Sequence, residues 1–184
     1  MSRAADTLDL AATDLVTFRL GGEVLAVPAL HLREILEPVP VTRVPGALPF
    51  VPGLLNVRGA VVPLADLRIP LQMPRPSAEA GHDDATRILV LELPLNGQDA
   101  VVGILADSVH EVTRIGADQL ERIPPVGTRW PPRFVAAVGR WGGDFVTIPD
   151  LTAIFAEFLT GPSGRSPQSG TVAAPSEMER PQCV

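Results

Sequence analysis

Lysine and tyrosine are absent from this chain, cysteine occurs once, and aromatic residues amount to only 4%. Without lysine every cation is an arginine, and a formal charge of −6 leaves no basic surface for tracking phosphates, so nucleic-acid partners are set aside. Cys183 has no second cysteine to pair with, and no Cys/His set has metal-ligand spacing. A reducing compartment fits, and no metal or other cofactor is implied. The N-terminus has acids but no apolar signal region, and no apolar run approaches the roughly 20 residues of a membrane helix. The expectation is a cytoplasmic protein that does not itself insert into membranes.

Catalytic constellations are missing as well. No Gly-x-Ser-x-Gly elbow, phosphate loop or Gly-x-Gly-x-x-Gly turn occurs, and His31, His82 and His110 stand in unrelated contexts. His82 reads as a loop residue, while His31 and His110 are expected on the solvent side of strands. Asp66 and Asp150 could suggest an acid pair, but neither has the Thr or Ser-Gly of an aspartic protease, and each reads better as a cap on the segment that follows. A small hydrolase on a β-barrel is thereby disfavoured. Apolar strands, turn glycines and one buried-looking cation suit protein recognition instead, and no enzyme is expected.

What the chain does have is punctuation. Twenty prolines and sixteen glycines separate short segments rich in Val, Ile and Leu, the pattern of many strands. Residues 15–20 alternate as a half-buried strand, Gly21-Gly22 supplies a tight turn, and 23–27 return. Residues 32–36 make a third strand, and 53–59 with 60–66 a hairpin turning at Arg58-Gly59. Residues 72–85 read as a connecting loop. Strands follow at 88–93, 100–105, 109–115, 134–139 and 145–148, with a further hairpin turn at Gly142-Gly143.

The two blocks resemble each other. Residues 50–67 match 134–151 without gaps, with identity at Phe50/Phe134, Val51/Val135, Gly59/Gly143, Val62/Val146, Asp66/Asp150 and Leu67/Leu151. Duplication of a five-strand unit explains this, and small sheets avoid open edges by curling into barrels. Helical spacing predicts one helix at 151–159, with Asp150 as N-cap, Gly161 after its end, and Leu151, Ile154, Phe155 and Phe158 on one stripe. The expected organisation is a flexible stretch 1–13, a folded domain 14–160 with halves at about 14–71 and 86–150, and a disordered tail 161–184.

The run Asn56-Val57-Arg58-Gly59-Ala60-Val61-Val62-Pro63-Leu64-Ala65-Asp66-Leu67-Arg68 closely resembles the signature hairpin of CheW-type coupling domains. The resemblance extends through Phe18-x-Leu20-Gly21, Leu32-Arg33-Glu34-Ile35-Leu36, Thr42-x-Val44-Pro45, Pro49-Phe50-Val51-x-Gly53 and Val102-Gly103-Ile104-Leu105-Ala106-Asp107-Ser108-Val109. It covers about residues 14–159, and is looser in the second half, where Asn96-Gly97-Gln98-Asp99 and Trp130-Pro131-Pro132 depart from the family pattern. It implies a mostly β domain of two five-stranded SH3-like barrels with a short C-terminal helix. It also implies a non-enzymatic chemotaxis adaptor that binds the regulatory domain of a CheA-type histidine kinase and the cytoplasmic tip of a methyl-accepting chemoreceptor. Such an adaptor is recruited to receptor arrays at the inner membrane.

The protein-binding positions carried over are Leu32, Glu34, Ile35, Asn56, Arg58, Val61 and Val109, with Gly53 and Gly103 at turns or close backbone approaches. Leu32, Ile35, Val61 and Val109 read individually as core. Arg58 is the most informative, because a hairpin does not need an Arg beside its turn glycine, and its guanidinium offers several donors to a partner. The same coupling role in a pilus, surface-motility or other non-flagellar pathway is the alternative, and a scaffold without a receptor partner another. A CheV-type adaptor would need a receiver domain that these residues do not supply.

Overall fold

A computed structural model describes residue 10 and residues 12–74, 84–120 and 130–160. The expected helix stop at Gly161, the tail 161–184, His82 and Cys183 lie outside those residues, as do 75–83 of the expected loop. The chain is mostly β. Strands β1 (Leu15–Leu20), β2 (Glu23–Pro28), β3 (Leu32–Leu36), β4 (Thr42–Arg43), β5 (Gly53–Val57) and β6 (Ala60–Ala65) come first. Then follow β7 (Arg87–Leu95), β8 (Gln98–Ala106), β9 (Ser108–Thr113), β10 (Val135–Trp141), β11 (Asp144–Pro149) and the helix α1 (Leu151–Thr160).

The strands form a five-stranded sheet, β10-β11-β2-β1-β9, and a six-stranded sheet, β3-β7-β8-β6-β5-β4. The expectation that residues 14–71 and 86–150 would each build their own sheet is therefore wrong. The first hairpin, β1–β2, lies among the last three strands, and β7–β8 lies among strands of the first half. The two-residue edge strand β4 is an addition to the sequence reading.

The pairing register shows that this is a duplication with exchanged hairpins. In one sheet Phe18 pairs with Leu25 and Val109, and Val16 with Val112. In the other, Leu91 pairs with Val102 and Leu32, and Leu89 with Ile35. The parallel contacts correspond too: Val146 lies opposite Val24, and Leu64 opposite Gly103. The backbone NH of Asp66 donates to Phe50 O, and that of Asp150 to Phe134 O, both at 2.9 Å. The internal repeat at 50–67 and 134–151 is thus a repeat in space.

Exchange explains why β2, β7 and β8 are almost continuously apolar. A strand covered on both faces shows little alternation. Leu25 and Val27, Leu89, Leu91 and Leu93, and Val102 and Ile104 point into one central cluster shared by both sheets. Val24 and Ala26 enter a smaller cluster with Ile115, Val146 and Ile148, while Ile88 and Val90 enter another with Leu55, Val57 and Val62. Leu10, within the stretch expected to be flexible, packs against the first of these smaller clusters.

Helix α1 closes the central cluster. Asp150 Oδ1 accepts from Ala153 N at 2.9 Å, the expected N-cap. Ile154 and Phe155 are buried. Phe155 meets the edge of Phe50 with centroids 5.1 Å apart, and Phe158 lies 4.9 Å from Phe50 and 5.9 Å from Phe134. The two repeat-related phenylalanines thus share one helix. Arg133 Nε and Nη2 each donate to Glu157 at 3.0 Å, holding the outer face.

Phe155→Ala should cost about 3–5 kcal/mol in chemical denaturation, since a fully buried ring leaves a cavity. The Arg133 guanidinium, first by hydrogen bonding, holds the Glu157 carboxyl below its ordinary 4.5. A depressed carboxylate stabilises the fold above its unfolded pKa, and that contribution is lost as pH falls through the lower folded value. Glu157→Gln should therefore lower the melting temperature slightly at neutral pH, and the difference from wild type should vanish in acid below the folded pKa.

Candidate interaction surfaces

The turns of the four hairpins share one backbone geometry. Gly21-Gly22, Arg58-Gly59, Asn96-Gly97 and Gly142-Gly143 all take positive φ at both positions, as two-residue type I′ turns require. Glycine or asparagine leads each turn except the second, where Arg58 sits at φ 51°. A left-handed conformation costs a side chain such as arginine about 1–2 kcal/mol. Asn56 Oδ1 helps by accepting from Gly59 N at 2.9 Å, closing the turn from below.

Strain at Arg58 is matched by what its side chain reaches. Nε donates to both carboxylate oxygens of Glu34 on β3, at 3.1 and 3.2 Å, and Nη2 donates to Oε2 at 2.9 Å. Hydrogen bonding to Glu34, then its charge, raises the Arg58 guanidinium above its ordinary pKa. The fork ties β3, at one edge of the six-stranded sheet, to the β5–β6 turn near the other edge. Arg58 remains 82% exposed and is not a buried cation; a buried cation the sequence reading did not single out is Arg68, at 4%.

Around this fork the exposed apolar residues are Val61, at 70%, and Ile35, at 42%, where a core role was expected for each. Leu32 and Val109 are half-buried against the central cluster. Val109 pairs with Phe18 in the other sheet, so it does not join the Arg58 group. Gly53 and Gly103 are buried and serve close approaches. A Cβ on Gly53 would lie 2.5 Å from Val41 Cγ1 and 2.6 Å from Thr42 O; on Gly103 it would lie 3.1 Å from Leu55 Cδ1.

A second surface escaped the sequence reading. Phe145, repeat-equivalent to Val61, is 63% exposed, and Val112, equivalent to Ile35, is 60% exposed. Glu111, equivalent to Glu34, accepts from Trp141 Nε1 at 3.2 Å, joining edge strands β9 and β10, where Glu34–Arg58 joins edge strand β3 to the β5–β6 turn. Arg140 lies over the Phe145 ring at 4.7 Å, and exposed His110 tilts against Trp141 at 5.7 Å. The match of 50–67 to 134–151 already carried the signal, because it aligns Phe145 with an interface candidate. His31, expected toward solvent, is half-buried, with Nδ1 3.1 Å from Glu92 O.

No group of three or more His, Cys, Asp or Glu among the described residues could hold a metal ion, and no described helix is long and apolar enough to cross a membrane. Fold and surfaces together define a two-sheet module with an exposed apolar patch on each sheet. Residues 14–158 match the CheW-like domain family, and the chain belongs to it. It is 27% identical over 155 residues to the chemotaxis protein CheW of Rhizobium meliloti, covering 84% of this chain and 95% of that one. It is 28% identical over 125 residues to Protein PilI of Pseudomonas aeruginosa, covering 64% and 62%. The crystal structure of the scaffolding protein TtCheW from Thermoanaerobacter tengcongensis superposes with a TM-score of 0.66 at 28% identity, covering 78% of this chain and 87% of that one.

Arg58→Gly should leave thermal stability unchanged or raised, because glycine takes positive φ freely while the exposed ion pair contributes little. Gly53→Ala should cost about 1–3 kcal/mol and speed amide exchange at Thr42 and Arg43, since the added methyl displaces β4 from β5.

Proposed function

We propose that this chain is a non-enzymatic adaptor coupling chemoreceptors to a CheA-type histidine kinase in chemotaxis signalling. The observation that carries the proposal is the pair of exposed patches at repeat-equivalent places on different sheets: Ile35, Val61 and the Glu34–Arg58 fork on one, Val112, Phe145 and the Glu111–Trp141 contact on the other. Their chemistry differs enough for two partners. One patch presents small aliphatic side chains beside an exposed cation, the other an aromatic ring beneath an arginine. Apolar anchors flanked by oriented charges suit docking sites of this kind.

In this reading the partners are the kinase regulatory domain and the receptor's cytoplasmic tip, which recruit the adaptor to arrays at the inner membrane. Engaging both at once raises the effective concentration of each near the other, so receptor state and kinase activity become linked without turnover. The likeness to Protein PilI supports a second reading, the same coupling in a pilus or surface-motility pathway.

The test is pull-down and calorimetry with the kinase regulatory domain and a receptor cytoplasmic fragment from the same cell. Wild type should form a ternary assembly. Arg58→Ala and Phe145→Asp, each folded, should weaken different partners by about tenfold or more, roughly 1.4 kcal/mol. Folded wild type binding neither any native kinase nor any native receptor would overturn the adaptor role, and binding only to a pilus-system pair would select the second reading.

A further inference from the structure

The chain passes between the two sheets at two repeat-equivalent corners. One lies between β2 and β3, at residues 29–31, and the other between β8 and β9, at Asp107. The second corner is held by an ionic cluster around one buried guanidinium. Arg68, 4% exposed, donates through Nη2 to Asp107 Oδ1 at 2.5 Å and approaches Asp66 Oδ1 through Nη1 at 3.5 Å, while its Nε makes no hydrogen bond. Asp107 Oδ2 accepts from Gly21 N at 2.6 Å in the β1–β2 turn, and Asp107 N donates to Arg19 O at 2.8 Å. Asp66 also caps its own turn by accepting from Arg68 N at 3.0 Å.

The first corner is an internal control. Where the second has Asp107 the first has Leu30, 70% exposed, and where the second has Arg68 the first has exposed Thr152. Leu30 and Thr152 line an open groove of about 750 Å³ beside the start of α1. The same crossover therefore closes without a buried guanidinium, so the topology does not require one. Burying one is costly unless carboxylates and hydrogen bonds compensate, and replacing such a group by an apolar one of similar size is often neutral for stability. What the cluster adds is a fixed geometry at the point where β9 begins.

We propose that Arg68 is a positioning residue, which through Asp107 fixes the β8–β9 corner and the β1–β2 turn and so holds the β9 surface in its docking geometry. The functional half of this rests on the adaptor reading. Val109 and Val112 lie on β9 directly beyond the corner, whereas the Glu34–Arg58 patch lies on the other sheet.

The experiment compares wild type with Arg68→Met, Arg68→Lys and Asp107→Asn by thermal melting, amide hydrogen exchange and partner binding. Arg68→Met should remain folded, with exchange at Gly21, Asp107 and β9 faster by about tenfold or more while β7 keeps its protection. Binding at the Val112–Phe145 surface should weaken by about tenfold with the Arg58 surface within about twofold, and Arg68→Lys should recover part of the loss. Unchanged exchange at Gly21, Asp107 and β9 in folded Arg68→Met overturns the proposal, as does equal weakening at both surfaces. If Arg68→Met fails to fold, Asp107→Asn, at a side chain 45% exposed, applies the same criteria. If wild type binds neither partner the adaptor reading fails, and the exchange data alone decide whether Arg68 positions the corner.

Discussion

Everything in this domain depends on two hairpins that bury both faces. β1–β2 and β7–β8 each complete the sheet of the other half, presenting one face to that sheet's cluster and the other to the central cluster. Neither half has a complete sheet without the other's hairpin. The parallel contacts of β11 with β2 and β6 with β8 join elements of opposite halves, so sheet formation and docking of the halves are one event. Helix α1 then covers the cluster both halves share, with Phe50 and Phe134 meeting its aromatic stripe.

That exchange is also where reading the sequence reaches its limit. The glycine turns, the Asp150 cap and the 151–159 stripe are local signals, and the hairpin turns and α1 formed where those signals put them; β1 lies where residues 15–20 were read as a strand, but it is buried on both faces and not half-buried as its alternation suggested. Which distant strand β1 joins is not local. Its hydrogen bonds to β2 are the same whether the hairpin stays in its own half or crosses, and only the fully apolar character of β2 and β7 hints at double burial. Within the candidate surface, Arg58 stood out because its side chain has no role in making a turn. Val61 and Ile35 were indistinguishable from core, since an aliphatic strand residue does not announce which face of the strand its neighbours cover.

Arg58 illustrates how a surface is built against local preference. At the equivalent turn position Gly21, Asn96 and Gly142 adopt positive φ with little or no strain, while Arg58 is held there by the Asn56–Gly59 hydrogen bond and the three-fold contact with Glu34. The exposed pair adds little to stability. What it fixes is position: a long, rotatable cation is held beside the strand that carries Ile35 while staying 82% exposed. Strain accepted locally for an oriented functional group is a recurring feature of binding sites.

Duplication then accounts for how one small domain has two unlike faces. Repeat-related positions begin with the same backbone and the same exposure, so each copy inherits a patch in the same place on its own sheet. Substitution on one copy leaves the other untouched, because the patches lie on different sheets and share no side chain. Val61 and Phe145, Arg58 and Gly142, Val57 and Trp141, Asp107 and Leu30 are the traces of that divergence. The core could not diverge in the same way, since Phe50 and Phe134 meet in one cluster and a change in either is felt by both halves. Symmetry is therefore retained where the halves pack together and lost where they face outward, the distribution required of a rigid body that must present two different surfaces.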